Sequence, residues 1–166
     1  MISGGWQRAH DGGTLPRDRT AKGEADMQQQ GNVEVARLRA HCFCGAVQFS
    51  VEDAFAYAFY CHCSKCRRRT GAACAAIGGI PAPKLQITGG IEQLRRLDGR
   101  GGDYVAVCAQ CCSPLYSTVE GGTKLHVPLG VLDDPPSRVP DHHIQVAYKA
   151  PWHQISDGLP QFAEFP

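Results

Sequence analysis

Three thiols fall within six residues in the stretch Cys61-His62-Cys63-Ser64-Lys65-Cys66, and no other feature of this 166-residue chain restricts its folding as strongly. Thiolate is the form that binds a soft or borderline metal such as zinc, and donors this close in sequence lose little chain entropy when gathered onto one ion. A tetrahedral zinc takes four donors. Three thiolates therefore leave a position filled either from elsewhere in the chain or by something exchangeable, and that choice separates a catalyst from a scaffold.

The other six cysteines are Cys42 and Cys44 on either side of Phe43, Cys108, Cys111 and Cys112 in a second short run, and Cys74 alone. Nine is an odd number, and the start Met1-Ile2-Ser3-Gly4-Gly5-Trp6 has no apolar run of the kind an export signal needs. The expectation is a cytoplasmic protein whose cysteines serve metal or redox chemistry rather than disulfides. No stretch approaches the length needed to span a bilayer. A formal charge of +1 argues against a general nucleic-acid or membrane surface and leaves only local basic patches of interest.

Residues 1–30 are rich in Gly, Arg, Asp, Lys and Gln and poor in apolar side chains, so they are predicted to form a disordered tail. Met27 lies just ahead of the first plausible strand, and residues 1–26 are read as an overextended start. Residues 31–166 are predicted to be one zinc-binding β domain. Val47, Phe49 and Val51 alternate with Gln48 and Ser50, as a half-buried strand requires, and Leu125 with Val127 and Ile144 with Val146 and Tyr148 repeat the pattern. Further short strands are expected over residues 56–60, 72–80 and 85–87, broken by Gly78-Gly79 and Pro81-Ala82-Pro83. Residues 91–97 fit either a strand or one helical turn, and no strong helix is expected. Trp152, Ile155 and Phe162 are expected to close over one end of a sheet. The fold class is all-β, with stacked sheets of short strands and metal supplementing the core.

Cys42-Phe43-Cys44-Gly45 must bend, because alternate residues of a straight strand stand about 6 to 7 Å apart and two sulfurs on one zinc about 4 Å apart. Gly45 permits the bend. Residues 108–114 read as a hairpin turn carrying ligands at its tip. The economical partition gives Cys42, Cys44, Cys108 and Cys111 to one closed site and Cys61, Cys63 and Cys66 to an open one. Spacing also allows a single site that mixes the groups.

Cys42-Phe43-Cys44-Gly45-Ala46-Val47, Cys61-His62-Cys63-Ser64-Lys65-Cys66-Arg67-Arg68 with Gly71, Cys108-Ala109-Gln110-Cys111, and His143-Ile144 with Trp152 together resemble the glutathione-dependent formaldehyde-activating enzymes, a family that includes centromere protein V. The resemblance implies a β-tent fold, a structural zinc on Cys42, Cys44, Cys108 and Cys111, and a second, catalytic zinc on Cys61, Cys63 and Cys66. That makes two zinc ions per chain. It also implies glutathione and formaldehyde as the substrate pair of a carbon-sulfur lyase. The family has Gly after its fourth structural cysteine, where this chain has Cys112, so Cys112 is a strained turn residue or a spare thiolate.

Three thiolates on a divalent ion leave a net charge of about −1, so an incoming thiol that displaces water suits the site better than strong Lewis-acid chemistry. Lys65, Arg67 and Arg68 are candidate charge contacts for an anionic thiol. Cys74 reads as a small buried residue and His62 as facing away from any metal held by its neighbours. His126, His142, His143 and His153 lack ligand spacing. Two other functions fit the cysteines: a non-enzymatic zinc module that binds protein or nucleic acid, and a thiol redox sensor.

Overall fold

The computed structural model describes residues 35–166; the expected tail of residues 1–30 lies outside the described residues. Strands β1 (Arg37–His41) and β2 (Gln48–Glu52) pair antiparallel, and β5 (Leu85–Gly89) joins on the far side of β2. The larger sheet has seven strands. Its order is β10 (His143–Ile144), β3 (Tyr57–Cys61), β4 (Ala75–Pro81), β9 (Lys124–Pro128), β8 (Pro114–Val119), β7 (Tyr104–Cys108) and β6 (Leu94–Asp98). Every pairing is antiparallel except β10 with β3. The fold is all-β, and among the described residues no helix is long and apolar enough to cross a membrane.

Two hydrophobic clusters hold these sheets. Leu38, Val47, Phe49, Val51, Ile80, Leu115 and Val127 form the larger, and Cys42 and Cys108 are fully buried within it. The smaller consists of Phe59, Cys61, Ala75, Ile77 and Ile144, with Cys63 and Cys66 packed against it. The alternation of residues 47–51 thus points its apolar side into the larger cluster, as period-two patterning requires.

The structure differs from the sequence reading at four places. β4 runs unbroken through Gly78-Gly79, because the Tyr57 ring on the neighbouring strand occupies the space that a Cβ at residue 79 would need. The two glycines leave room for the Phe55 and Tyr57 rings against the strand rather than ending it. Residues 91–97 contain both alternatives, a 3-10 turn at Ile91–Gln93 followed by β6. The last alternating run forms only the two residues of β10, after which Gln145 adopts φ 59° and a 3-10 turn covers Val146–Tyr148. Trp152 does not close over a sheet; it is 72% exposed, while Ile155 and Phe162 are half-buried.

Candidate metal centre and adjoining cavity

The bend at the first cysteine pair is a tight turn: Gly45 adopts φ 75° and its amide donates to the carbonyl of Cys42 at 2.9 Å. That turn brings Cys42 Sγ to 3.5 Å from Cys44 Sγ. The hairpin of β7 and β8 delivers Cys108 Sγ to 3.8 Å from Cys44 Sγ, and Cys111 completes a group whose four sulfurs lie within 4.8 Å of one another. Four sulfurs at about 2.3 Å from a tetrahedral zinc stand about 3.8 Å apart, so this donor set fits the ion. Ser113 Oγ lies 3.2 Å from Cys111 Sγ, and its hydrogen bond holds that thiol down at about 5. Cys112 is exposed, adopts φ 60° and stands outside the group. Its backbone takes the left-handed conformation that glycine adopts freely.

The central stretch is built differently. β3 ends at Cys61, and a short helix, α1 (Ser64–Thr70), starts three residues later. Cys63 caps it, with Sγ accepting from the Cys66 amide at 3.3 Å. Cys66 lies one turn along, so Cys61, Cys63 and Cys66 converge with their sulfurs within 4.8 Å. Gly71 ends the helix in the left-handed conformation, and Arg67, Arg68 and Arg69 occupy its last turn, where cations complement the carbonyl end. Metal-free, the three thiols cannot all ionise: hydrogen bonding from Cys66 holds Cys61 down at about 6, while the same bond and burial push Cys66 up. A trio that retains protons in isolation and becomes fully ionised against a cation is a donor set that fits zinc. All nine cysteines are free thiols, and Cys74 is half-buried, its thiol pushed up by burial.

Residues 37–148 match the sequence model of the family described as glutathione-dependent formaldehyde-activating enzyme. The chain belongs to this family. A Fusarium vanettenii protein that bears the family's name is 28% identical over 134 residues, covering 81% of this chain and 63% of that protein. A Penicillium rubens protein of the same name is 24% identical over 136 residues, covering 81% of this chain and 62% of the relative. The chain thus spans about three-fifths of the length of these curated relatives. A crystal structure of a Rhodobacter sphaeroides protein superposes with a TM-score of 0.51 at 26% identity, covering 61% of this chain and 97% of that one.

In this formaldehyde-activating family member the three central thiols line a cavity of about 510 Å³, together with Phe59, Ile77 and Ile144. Lys65 lines the same cavity. Arg67 instead directs Nη2 to the carbonyl of Tyr148 at 3.3 Å, and its Nε has no hydrogen-bond partner among the described residues. Arg68 is exposed, and Arg69 lines a neighbouring recess beside Cys63 and Cys66. Of the three candidate charge contacts, only Lys65 is placed on the cavity that holds the thiols.

His62 is fully buried, with Nε2 2.8 Å from His143 Nδ1. His143 Nε2 in turn meets both oxygens of Asp157 at 3.0 Å. Burial, with His143 and His153 nearby, pushes the His62 imidazole down to about 4, so it is neutral at neutral pH. The sequence reading has His62 facing away from any metal held by its neighbours; its Nε2 meets His143, and it is buried rather than at the surface. The chain of contacts through His143 and Asp157 was not legible, because 81 residues separate the two histidines and neither has ligand spacing.

Proposed function

We propose that Cys61, Cys63 and Cys66 hold a catalytic zinc at which a substrate thiol adds to an aldehyde carbon or is released from one, making the protein a carbon-sulfur lyase of the formaldehyde-activating type. Cys42, Cys44, Cys108 and Cys111 hold a second, structural zinc. The observation that carries this reading is an asymmetry between two sulfur groups of one chain. Four thiols, two of them fully buried in the larger core cluster, gather with their sulfurs within 4.8 Å of one another, whereas three thiols open onto a cavity.

Zinc in such a site supplies a lowered thiol pKa and charge balance for a bound thiolate. The chain's own residues do the rest. Cys61, Cys63 and Cys66 provide an anchor, anionic once a cation is bound, fixed by a strand end and a helix cap. Lys65 stands beside it to offset negative charge. In the addition, the sulfur lone pair forms the carbon-sulfur bond, the carbonyl π bond breaks, and the oxygen takes a proton to give a hydroxyalkyl thioether. Cleavage reverses each change. Glutathione and formaldehyde are the thiol and aldehyde that the family's name supplies.

The test follows formaldehyde and hydroxymethyl thioether by proton NMR during incubation with zinc-loaded protein and glutathione or another thiol. Faster equilibration than in buffer, lost in Cys63→Ser, supports the reading. Equal rates for the wild type, Cys63→Ser and buffer across several thiols overturn it.

A further inference from the structure

The cavity beside the three thiols has a wall that a small polar aldehyde and a charged tripeptide do not account for. Phe59, Ile77, Val119, Ile144, Tyr148 and Phe165 line it. A second hollow of about 560 Å³ shares Phe59, Val119, His126, Ile144 and Phe165 with the first and continues to Tyr57 and His142. The two form one trough that starts at the sulfurs.

Its base is aromatic. The Tyr57 and Phe59 rings stack with centroids 5.8 Å apart, and His126 meets both edge-on at 5.8 and 5.5 Å. Tyr57 Oη and His126 Nε2 bond each other at 2.9 Å, so these polar atoms already satisfy one another. Burial pushes the His126 imidazole down, which favours its neutral form. Charge is sparse along the trough: Lys65 stands at the sulfur end, and Glu120, at the other, pairs with Lys124 at 2.9 Å. Arg69 and Asp103, whose Oδ1 has no hydrogen-bond partner among the described residues, line a third recess that adjoins the sulfurs at Cys63 and Cys66 on the side away from Phe59, Ile144 and Phe165. Along the Phe59–Val119–Ile144 wall the two carboxylates and ammonium of glutathione would lose water with few partners in return.

We infer that the thiol served by this site carries an apolar, ring-sized body that lies along the Phe59–Val119–Ile144 trough, so that a hydrophobic thiol, rather than glutathione, is the preferred ligand. The inference rests on the reading of Cys61, Cys63 and Cys66 as a thiol-binding zinc site. The trough has room for a ring and several further carbons, and it begins where the sulfur must sit.

The experiment is methyl NMR of the zinc-loaded protein titrated separately with phenylmethanethiol and glutathione. The aromatic thiol is expected to saturate at a concentration lower by about tenfold or more, the factor that burying one ring-sized apolar group supplies. Methyl signals of Val119, Ile77 and Ile144 move with it. Phe165→Ser and Tyr148→Ser, at two residues that are half or more exposed, weaken the aromatic thiol at least threefold more than glutathione. Cys63→Ser removes the preference. Tighter or equal binding of glutathione overturns the inference and leaves the thiol site standing, as does binding of the aromatic thiol with the trough methyls unmoved. Saturation by neither thiol overturns both.

Discussion

His62 Nε2 lies 2.8 Å from His143 Nδ1, so the residue between two candidate zinc ligands is tied through β10 to Asp157 near the end of the chain. The contact runs alongside the parallel pairing of His143 with Tyr60 and Ile144 with Cys61. A carboxylate only accepts, so His143 Nε2 carries a hydrogen toward Asp157. With one proton on each ring, His62 Nε2–H then donates to His143 Nδ1. His62 Nδ1 is left as a lone pair, and it has no partner among the described residues. Nitrogen-15 NMR should show His62 protonated on Nε2 alone. His143→Phe should destabilise the domain by about 1–3 kcal/mol in urea unfolding, the range for a buried group that loses its partner. The opposite tautomer, or a variant as stable as the wild type, contradicts this account.

Cys112 adopts φ 60° without membership of the four-thiol group. A side chain in the left-handed region costs about 1–2 kcal/mol relative to glycine. Cys112→Gly is therefore expected to raise stability by about 1 kcal/mol with unchanged zinc content, measured by thermal unfolding and metal analysis. Cys112→Val should lower stability. A loss of zinc in the glycine variant would instead make Cys112 a ligand.

Asp134 accepts from the backbone amide of Arg39 and from its guanidinium, at 2.8 to 3.1 Å. The Arg39 side chain and then its amide hold the Asp134 carboxyl at about 2, against an ordinary value of 3.8. A depressed carboxylate stabilises the fold above its unfolded value, and that contribution is lost as pH falls from near 3.8 through about 2. Carboxyl carbon-13 titration should show the low midpoint, and Arg39→Ala should move it back toward 3.8. A midpoint unmoved by the substitution would show that the ion pair is not the cause.

Most strands were legible because their apolar residues alternate: Val47, Phe49 and Val51 entered the core as patterned. The sulfur grouping was the more economical of two arrangements that spacing allowed, and a tight turn and a hairpin tip bring its four members together. What sequence could not show was α1, which has only seven residues, no buried side chain and a cysteine cap in place of the usual Ser, Thr, Asp or Asn. The run at residues 144–148 alternates like a strand but has β partners only at its start. The trough was also hidden. Tyr57, Val119, His126 and Phe165 meet only through the order of strands in the larger sheet and the return of the C-terminal segment, which no local pattern encodes.

The central claim is that the two sulfur groups have different roles, one structural and one catalytic. Zinc per chain, measured with far-ultraviolet circular dichroism on the wild type, Cys63→Ser and Cys108→Ser, tests it most directly. The account predicts two ions for the wild type, one ion and a retained β spectrum for Cys63→Ser, and an unfolded, zinc-poor protein for Cys108→Ser. One ion in the wild type, or equal damage from both substitutions, would contradict it.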